Sequence, residues 1–223
     1  MGDHICSGIP IWQRKRSQTP LSKDSNSFRS TNIHERKVAI KLSKKFYISD
    51  LHLGHNNIIR LDNRPFKNMT EMETAIINNW NSVVSDDDQV YILGDMFWDN
   101  DKAPEILDKL KGSKYLVRGN HDRINAPMAE RFVWIKDYAE IKDNGEHLVL
   151  CHYPISHWRS ADHGTIHLYG HIHTGRDSRP FEEYVELMRK REVPYRCYNV
   201  GCMLNSIDYT PRTLQEIISA NNA

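Results

Sequence analysis

Residues 115–122 read Tyr-Leu-Val-Arg-Gly-Asn-His-Asp, an apolar run that stops at a glycine and passes directly into three polar side chains. Short apolar runs bounded by Gly and Asn are typical of buried β-strands. Four further runs end in the same way, each with Asp or His where the strand stops. These are residues 46–52 (FYISDLH), 90–95 (VYILGD), 148–152 (LVLCH) and 166–173 (IHLYGHIH). Because ligands bind beyond the carboxyl ends of strands in such sheets, the five runs predict one shared site.

Helical patterns separate these runs, and the alternation is typical of an α/β or α+β fold. Apolar spacing and helix-start signals predict helices over 69–84, 101–110, 181–191 and 212–220. Thr70 is the expected N-cap of the first helix. Pro104 lies in the first turn of the second, and Pro211 leads into the fourth.

Charge is unevenly distributed along the chain. The 223 residues include 30 Lys and Arg and 29 Asp and Glu, a formal charge of +1, yet residues 1–45 hold ten basic and only three acidic side chains. We therefore predict a basic, flexible arm over residues 1–43 and one folded domain over 44–223. A tail without function is the favoured interpretation, and attraction of nucleic acid or another polyanion by the Arg14-Lys15-Arg16 cluster is the alternative.

Several classes of protein are excluded. No apolar run approaches the roughly 18 residues that a membrane-spanning helix needs, and no secretory signal follows the first basic cluster. The four cysteines include no Cys-x-x-Cys pair, which argues against a disulfide framework and a cysteine-rich zinc site. We expect a reducing, cytoplasmic compartment with Cys151 and Cys197 buried. The oligomeric state is not predicted.

The polar residues at the strand ends point to metal ions. Asp, Asn and His donors without Cys suit hard or borderline divalent cations. Two carboxylates, four histidines and one Asn are too many ligands for one ion. The count fits two metal ions that share a bridging carboxylate.

The order of these motifs along the chain resembles a known family. Asp50-x-His52, Gly94-Asp95, Gly119-Asn120-His121-Asp122, His152 and Gly170-His171-x-His173 resemble the signature of calcineurin-like metallophosphoesterases. The resemblance spans roughly residues 44–219. Residues 50–59, 63–66, 199–201 and 209–211 are similar to small prokaryotic and phage-type members. The resemblance implies a four-layer α/β/β/α sandwich of two mixed β-sheets flanked by helices, with the metals at one edge.

The resemblance also implies the ligands of two divalent ions, with Mn favoured and Fe, Zn, Co, Ni or Mg as alternatives. One ion would be held by Asp50, His52 and His173. The other would be held by Asn120, His152 and His171, and Asp95 would bridge the two. Attack on phosphorus by a metal-bridging hydroxide would then require no Ser or Cys nucleophile.

Several other residues receive roles. His121 resembles the family's non-ligand histidine and is expected to protonate or stabilise the leaving group, with Asp122 orienting its ring. His55 and Arg64 are candidate substrate contacts together with Asn120 and His121. For His55 and Arg64, a structural contact is the alternative. We assign His157, His163 and His167 to structural roles or to supporting contacts behind the ligands, and Asp86-Asp87-Asp88 to a solvated loop. Half-buried packing is the expected role of Trp98 and Trp158, and a wall of a pocket for an aromatic or nucleotide group is the alternative.

These residues predict a metal-dependent phosphoric ester hydrolase. Phosphodiester or nucleotide-type substrates are favoured, and a phosphomonoesterase is the alternative. A non-catalytic scaffold is a third hypothesis. It is disfavoured because the seven ligand positions and His121 are all present.

Overall fold

The computed structural model describes residues 42–176 and 178–222. Its strands in chain order are β1 (Lys45–Ile48), β2 (Gln89–Ile92), β3 (Ser113–Val117), β4 (Trp134–Lys136), β5 (Tyr138–Asp143), β6 (Glu146–Cys151), β7 (Ile166–Tyr169), β8 (Cys197–Asn199) and β9 (Arg212–Thr213). Its helices are α1 (Ile58–Leu61), α2 (Met69–Val83), α3 (Ala103–Lys109), α4 (Ala126–Ala129), α5 (Arg179–Lys190) and α6 (Leu214–Asn221). Nearly all of the predicted basic arm lies outside the described residues, so the arm stays a prediction.

The strands form two mixed sheets. The first has the order β4-β3-β2-β1-β9, in which only β9 runs antiparallel to its neighbour. The second has the order β5-β6-β7-β8, with β5 antiparallel to β6 and the other pairs parallel. All five strands predicted from polar strand ends are present, as β1, β2, β3, β6 and β7. The predicted fold of two mixed sheets flanked by helices is confirmed.

Alternating side chains divide the core into two clusters, because successive residues of a strand face opposite sides of the sheet. In β6, Leu148 and Leu150 join a large cluster that also contains residues of the first sheet and of α2, α3 and α6. Val149 between them joins a second cluster with Trp158 and with Val185 of α5. The helix α5 therefore covers the other face of the second sheet.

The helices begin at positions that differ slightly from the predicted ones. The N-cap of α2 is Asn68 and not Thr70, because the Asn68 side chain accepts the Glu71 N–H at 2.9 Å. Pro104 lies in the first turn of α3, as predicted. Residues 212–213 are not helical, since they pair with β1 as strand β9, and Thr213 then caps α6 in a capping box with Glu216.

The two sheets meet at the end where the polar loops lie. The Ser49 N–H donates to the Val200 carbonyl at 2.9 Å, and the Gly170 N–H donates to the His152 carbonyl at 2.9 Å. Backbone hydrogen bonds thus tie the loop after β1 to the segment after β8 and the loop after β7 to the one after β6. This network fixes the relative positions of the polar side chains.

Three cysteines lie in the described region, and all three are free and buried: Cys151, Cys197 and Cys202. The prediction of buried Cys151 and Cys197 is confirmed. No helix formed by the described residues has the length and apolar character that crossing a membrane requires.

His167 is fully buried in β7, where its Nε2 accepts the Ile155 N–H at 3.2 Å. Burial lowers its pKa from an ordinary 6.5 to about 4. Between pH 7 and pH 5 the unfolded chain therefore takes up a proton at His167 that the folded chain does not. We expect this residue alone to reduce the free energy of unfolding of the metal-free protein by about 2 kcal/mol over that interval.

Urea unfolding of His167→Gln at the two pH values tests this expectation. The variant should lose less stability on acidification than the parent protein, by about the same 2 kcal/mol. The matched control is His163→Gln, which changes an exposed histidine and should follow the parent. Parallel pH dependence of His167→Gln and the parent would contradict the assignment.

Candidate metal centre

The loops that carry the predicted ligands have an unusual backbone conformation. Asp50, His52, Asp95, His171 and His173 all have positive φ values, of 57°, 51°, 51°, 73° and 34°. Residues other than glycine rarely adopt positive φ because their Cβ atom meets the backbone. Backbone strain of this kind is often found at functional sites. The fold thus holds these five residues in conformations that a free chain would avoid.

One group of donor atoms comprises Asp50, His52 and His173, whose ligand atoms lie within 4.8 Å of one another. The His173 Nδ1 donates to Asp62 Oδ1 at 2.7 Å, which directs the lone pair of Nε2 into the group. That Nε2 lies 3.1 Å from His52 Nε2 and 3.5 Å from Asp50 Oδ1. Three ligand atoms therefore converge in an arrangement that could hold one cation.

The electrostatics of this group also favour positive charge. Burial opposes protonation of His173, but hydrogen bonds and charge from Asp50 and Asp62 outweigh it and raise the pKa of His173 to about 9. In the metal-free protein a proton on His173 Nε2 therefore supplies the positive charge that the two carboxylates favour, and a divalent ion would take the place of that proton.

A second group comprises Asp95, His152 and His171, again with ligand atoms within 4.8 Å of one another. The His152 Nδ1 donates to the Leu93 carbonyl at 2.8 Å, so its Nε2 lone pair faces inward. Asn120 Oδ1 lies 3.0 Å from this nitrogen, and Asp95 Oδ2 lies 3.5 Å from it. Nitrogen and oxygen acceptors meet here as well, with the amide oxygen of Asn120 as a fourth donor to a metal.

Asp95 lies between the two groups. Its Oδ2 is 3.5 Å from His152 Nε2 in the second group and 3.7 Å from His52 Nε2 in the first. Burial opposes ionisation, but the interactions with His152 outweigh it and lower the pKa of Asp95 to about 2. One ionised carboxylate thus faces both sets of ligand atoms.

Close backbone approach positions Asp95. A Cβ atom added to Gly119 would overlap the Asp95 side chain and its backbone nitrogen. The Asp122 carboxylate accepts the N–H groups of Asp95 at 2.9 Å, Met96 at 2.9 Å and Gly119 at 2.8 Å. The prediction that Asp122 orients the His121 ring is therefore wrong, because these backbone groups occupy its oxygens. Asp122 instead fixes the loops that carry Asp95 and Asn120.

His121 stands beside the two groups as a partly exposed side chain. Its backbone N–H donates to Asp95 Oδ1 at 2.9 Å, and its Nε2 lies 3.9 Å from Asp95 Oδ2. The ring centroid is 5.5 Å from that of His52. The structure thus brings His121 to the edge of the donor cluster without making it a member of either trio.

The geometry agrees with a comparison of the sequence with protein families. A profile of the calcineurin-like phosphoesterase superfamily domain matches residues 44–203. The chain belongs to this superfamily. The predicted family is confirmed, and the superfamily supports a hydrolase of phosphoesters.

Similar proteins come from several organisms. An uncharacterised protein of Methanocaldococcus jannaschii is 34% identical over 182 residues, which cover 80% of this chain and 92% of that protein. The gene 66 protein of Mycobacterium phage L5 is 30% identical over 60% of this chain and 79% of its own length. A crystal structure of a protein of unknown function from Aquifex aeolicus matches with a TM-score of 0.61 and 28% identity, covering 80% of this chain and all of that one.

Arg64 is not among the residues that line the pocket over the two donor groups. Its side chain is fully buried, and its guanidinium donates to the carbonyls of Leu51 and Asp50, each at 2.8 Å, and to Asp62. The predicted substrate contact of Arg64 is therefore wrong, since these acceptors occupy the guanidinium. Arg64 instead ties the loop after β1 to Asp62.

Asp62 is the functional candidate that sequence analysis missed. It joins the Arg64 guanidinium at 2.8 Å to the His173 ring at 2.7 Å. Asp62 lies 111 positions before His173, so sequence spacing does not connect the two residues. The one sequence signal for Asp62 is its position directly before residues 63–66, which resemble a family motif.

A pocket of about 350 Å³ lies over the two groups. Asn120 and His121 line it, as do His55 and Trp98. Trp98 is half-buried against the His55 ring, as predicted, and it also lines the pocket, which is the alternative role for this residue; Trp158 is buried and does not line the pocket. His157 and His163 are exposed outside it, and Asp86 and Asp87 are exposed as predicted, although Asp88 is buried.

Proposed function

We propose that this protein is a dinuclear-metal-dependent phosphoesterase acting on phosphodiester or nucleotide-type substrates. The position of Asp95 carries the proposal, because its Oδ2 lies within 3.7 Å of a ligand nitrogen in each group. A carboxylate placed in this way suits two ions that lie about 3.5 to 4 Å apart.

The proposed ligands divide as the motifs predict. Asp50, His52 and His173 hold one ion, and Asn120, His152 and His171 hold the other, with Asp95 shared. The oxygen and imidazole donors include no thiolate, which suits hard or borderline divalent ions such as Mn, Fe, Zn, Co, Ni and Mg. Mn, which the family resemblance favours, is the ion proposed.

The chain's own residues then position and assist the reaction. Two bound divalent ions supply charge neutralisation and a lowered pKa of water. The pocket aligns the ester so that a water oxygen bonds to phosphorus while the bond to the leaving oxygen breaks. His121 Nε2 lies at the pocket edge, where it can give a proton to that leaving oxygen. The products are an alcohol and a phosphate species, and no protein nucleophile is required.

The lining of the pocket favours diesters over monoesters. Among the described residues that line it, none is Lys or Arg. Lys and Arg side chains would strengthen the binding of a doubly charged monoester more than that of a singly charged diester. A lining without them therefore favours the diester.

Hydrolysis assays on stripped and Mn-reloaded protein test the proposal. We expect bis-p-nitrophenyl phosphate to be hydrolysed with a higher kcat/KM than p-nitrophenyl phosphate, and only after Mn is restored. Preference for the monoester would favour the phosphomonoesterase alternative. Inactivity of the Mn-loaded protein on a broad panel of phosphoesters would favour the scaffold hypothesis.

Replacing Asp62 with Asn should weaken metal binding at the first group. The carboxylate fixes the tautomer and orientation of the His173 ring, and loss of such a partner typically lowers metal affinity by about 10- to 100-fold. Calorimetric titration of the stripped variant with Mn²⁺ measures the effect. Asp87→Asn, which removes an exposed carboxylate from a remote turn, should bind Mn²⁺ as the parent does. Unchanged affinity in Asp62→Asn would contradict the proposed role.

A further inference from the structure

Trp98 is a large aromatic side chain that packing alone does not explain. Its indole lies parallel to the His55 ring, with centroids 3.9 Å apart and planes inclined by 9°. One face is thus supported, while 46% of the residue remains exposed to the pocket. Its backbone is anchored, since the Trp98 N–H donates to the Leu53 carbonyl at 2.8 Å and the preceding Phe97 is buried. The structure therefore presents a fixed, flat apolar surface to solvent.

The pocket that this surface lines also contains aliphatic side chains. Ile58 and Leu61 line the same pocket, and 61% of Leu61 is exposed. No Lys or Arg belongs to the described lining. A leaving group that carries further phosphates would find no side-chain cation here, whereas a neutral flat group would bury apolar surface.

The surface adjoins the residue assigned to the leaving group. The Trp98 ring centroid is 4.6 Å from that of His121. Under the proposed function, on which this inference rests, His121 faces the leaving oxygen. The group attached to that oxygen therefore extends toward Trp98.

We propose that Trp98, supported by His55, is a specificity-determining platform on which the base of a nucleoside leaving group stacks. The substrate is then a phosphodiester whose departing alcohol is a nucleoside. Hydrolysis adds water across the P–O bond and releases the nucleoside with its proton on the former ester oxygen. Stacking of a base on an aromatic side chain is sequence-tolerant, so the platform accepts different bases.

Two esters with the same type of leaving alcohol isolate the contribution of the base. Adenosine 5′-(methyl phosphate) carries a base, and the methyl phosphate of 1-O-methylribose does not. We expect the Mn-loaded protein to release adenosine with a kcat/KM about tenfold or more above that for the abasic alcohol. Trp98→Ala should bring this ratio close to one, and Trp98→Phe should retain most of it.

Tyr153→Ala is the matched control for this ratio. Tyr153 is also an exposed aromatic residue beside the metal centre, but its ring contacts those of His171 and His152. This variant should keep the preference for the base. Equal rates for the two esters in the parent, or a ratio lost in Tyr153→Ala and kept in Trp98→Ala, would overturn the proposed platform while leaving the phosphoesterase function intact.

Binding measurements separate the platform from catalysis. In calorimetric titrations of the Mn-loaded protein, AMP should bind about tenfold more tightly than ribose 5-phosphate, and Trp98→Ala should remove the difference. Equal binding of the two ligands by the parent would overturn the platform. If neither ester is hydrolysed, the proposed function fails, and this titration alone decides whether Trp98 recognises a base.

Discussion

Replacing Asp95 with Asn is expected to lower Mn-dependent diester turnover by about 10³-fold or more. The carboxylate faces ligand nitrogens of both groups, at 3.5 and 3.7 Å, and it is ionised because its pKa is lowered to about 2. An amide keeps the shape but removes the negative charge that two adjacent cations require. The variant should therefore bind fewer than two ions per chain, which elemental analysis of the dialysed protein measures alongside turnover.

Asp87→Asn serves as the control for Asp95→Asn. It makes the same chemical change at an exposed position in the turn before β2, and it should retain parental turnover and metal content. An Asp95→Asn protein that holds two ions and turns over normally would show that Asp95 does not bridge.

His121→Ala is expected to lower turnover by about 10²-fold or more while leaving metal content intact. The His121 Nε2 lies outside both donor trios but only 3.9 Å from Asp95 Oδ2, at the edge of the pocket. Its backbone N–H, which contacts Asp95 Oδ1 at 2.9 Å, is preserved in the variant. The loss should therefore appear in kcat for substrates with poor leaving groups.

A substrate with a good leaving group provides a further check on His121. Esters of p-nitrophenol need little protonation on departure, so His121→Ala should affect them less than alkyl esters. His157→Ala, which truncates an exposed histidine outside the pocket, should behave as the parent. Loss of metal from His121→Ala, or unchanged turnover on all esters, would contradict the role of leaving-group acid.

The part of the fold that surrounds the site could be predicted from the sequence because strands and ligands are adjacent in the chain. In residues 115–122 the apolar run and the polar loop follow each other directly, and the same holds for the other four runs. Because the carboxyl ends of parallel strands lie at the same edge of a sheet, the positions of these polar loops follow from the strand pattern alone. By contrast, β9 has only two residues, Arg212–Thr213, and depends on pairing with β1.

The contacts that could not be predicted join residues far apart in the chain. Asp62 reaches His173 across 111 positions, and Arg64 is buried against carbonyl groups where a phosphate contact had been expected. The prediction for Asp122 is wrong because it assumes that a sequence neighbour of His121 contacts the His121 ring. In the structure its carboxylate binds backbone groups 26 and 27 residues away.

The exposure of Trp98 also depends on tertiary structure. A tryptophan is expected to pack at least half-buried, and Trp158 is buried. Trp98 stays partly exposed because the hydrogen bond of its backbone to Leu53 holds its loop beside the donor groups, where the indole stacks on the His55 ring and lies next to the tilted His121 ring.

The most direct test of the two-metal account is the rate of diester hydrolysis by stripped protein as Mn²⁺ is added in molar equivalents, at protein concentrations well above the dissociation constants. We predict no turnover without metal and a rate that rises until two ions are bound per chain. Turnover by the stripped protein, or a rate that is already maximal at one equivalent, would contradict a shared Asp95 between two catalytic ions.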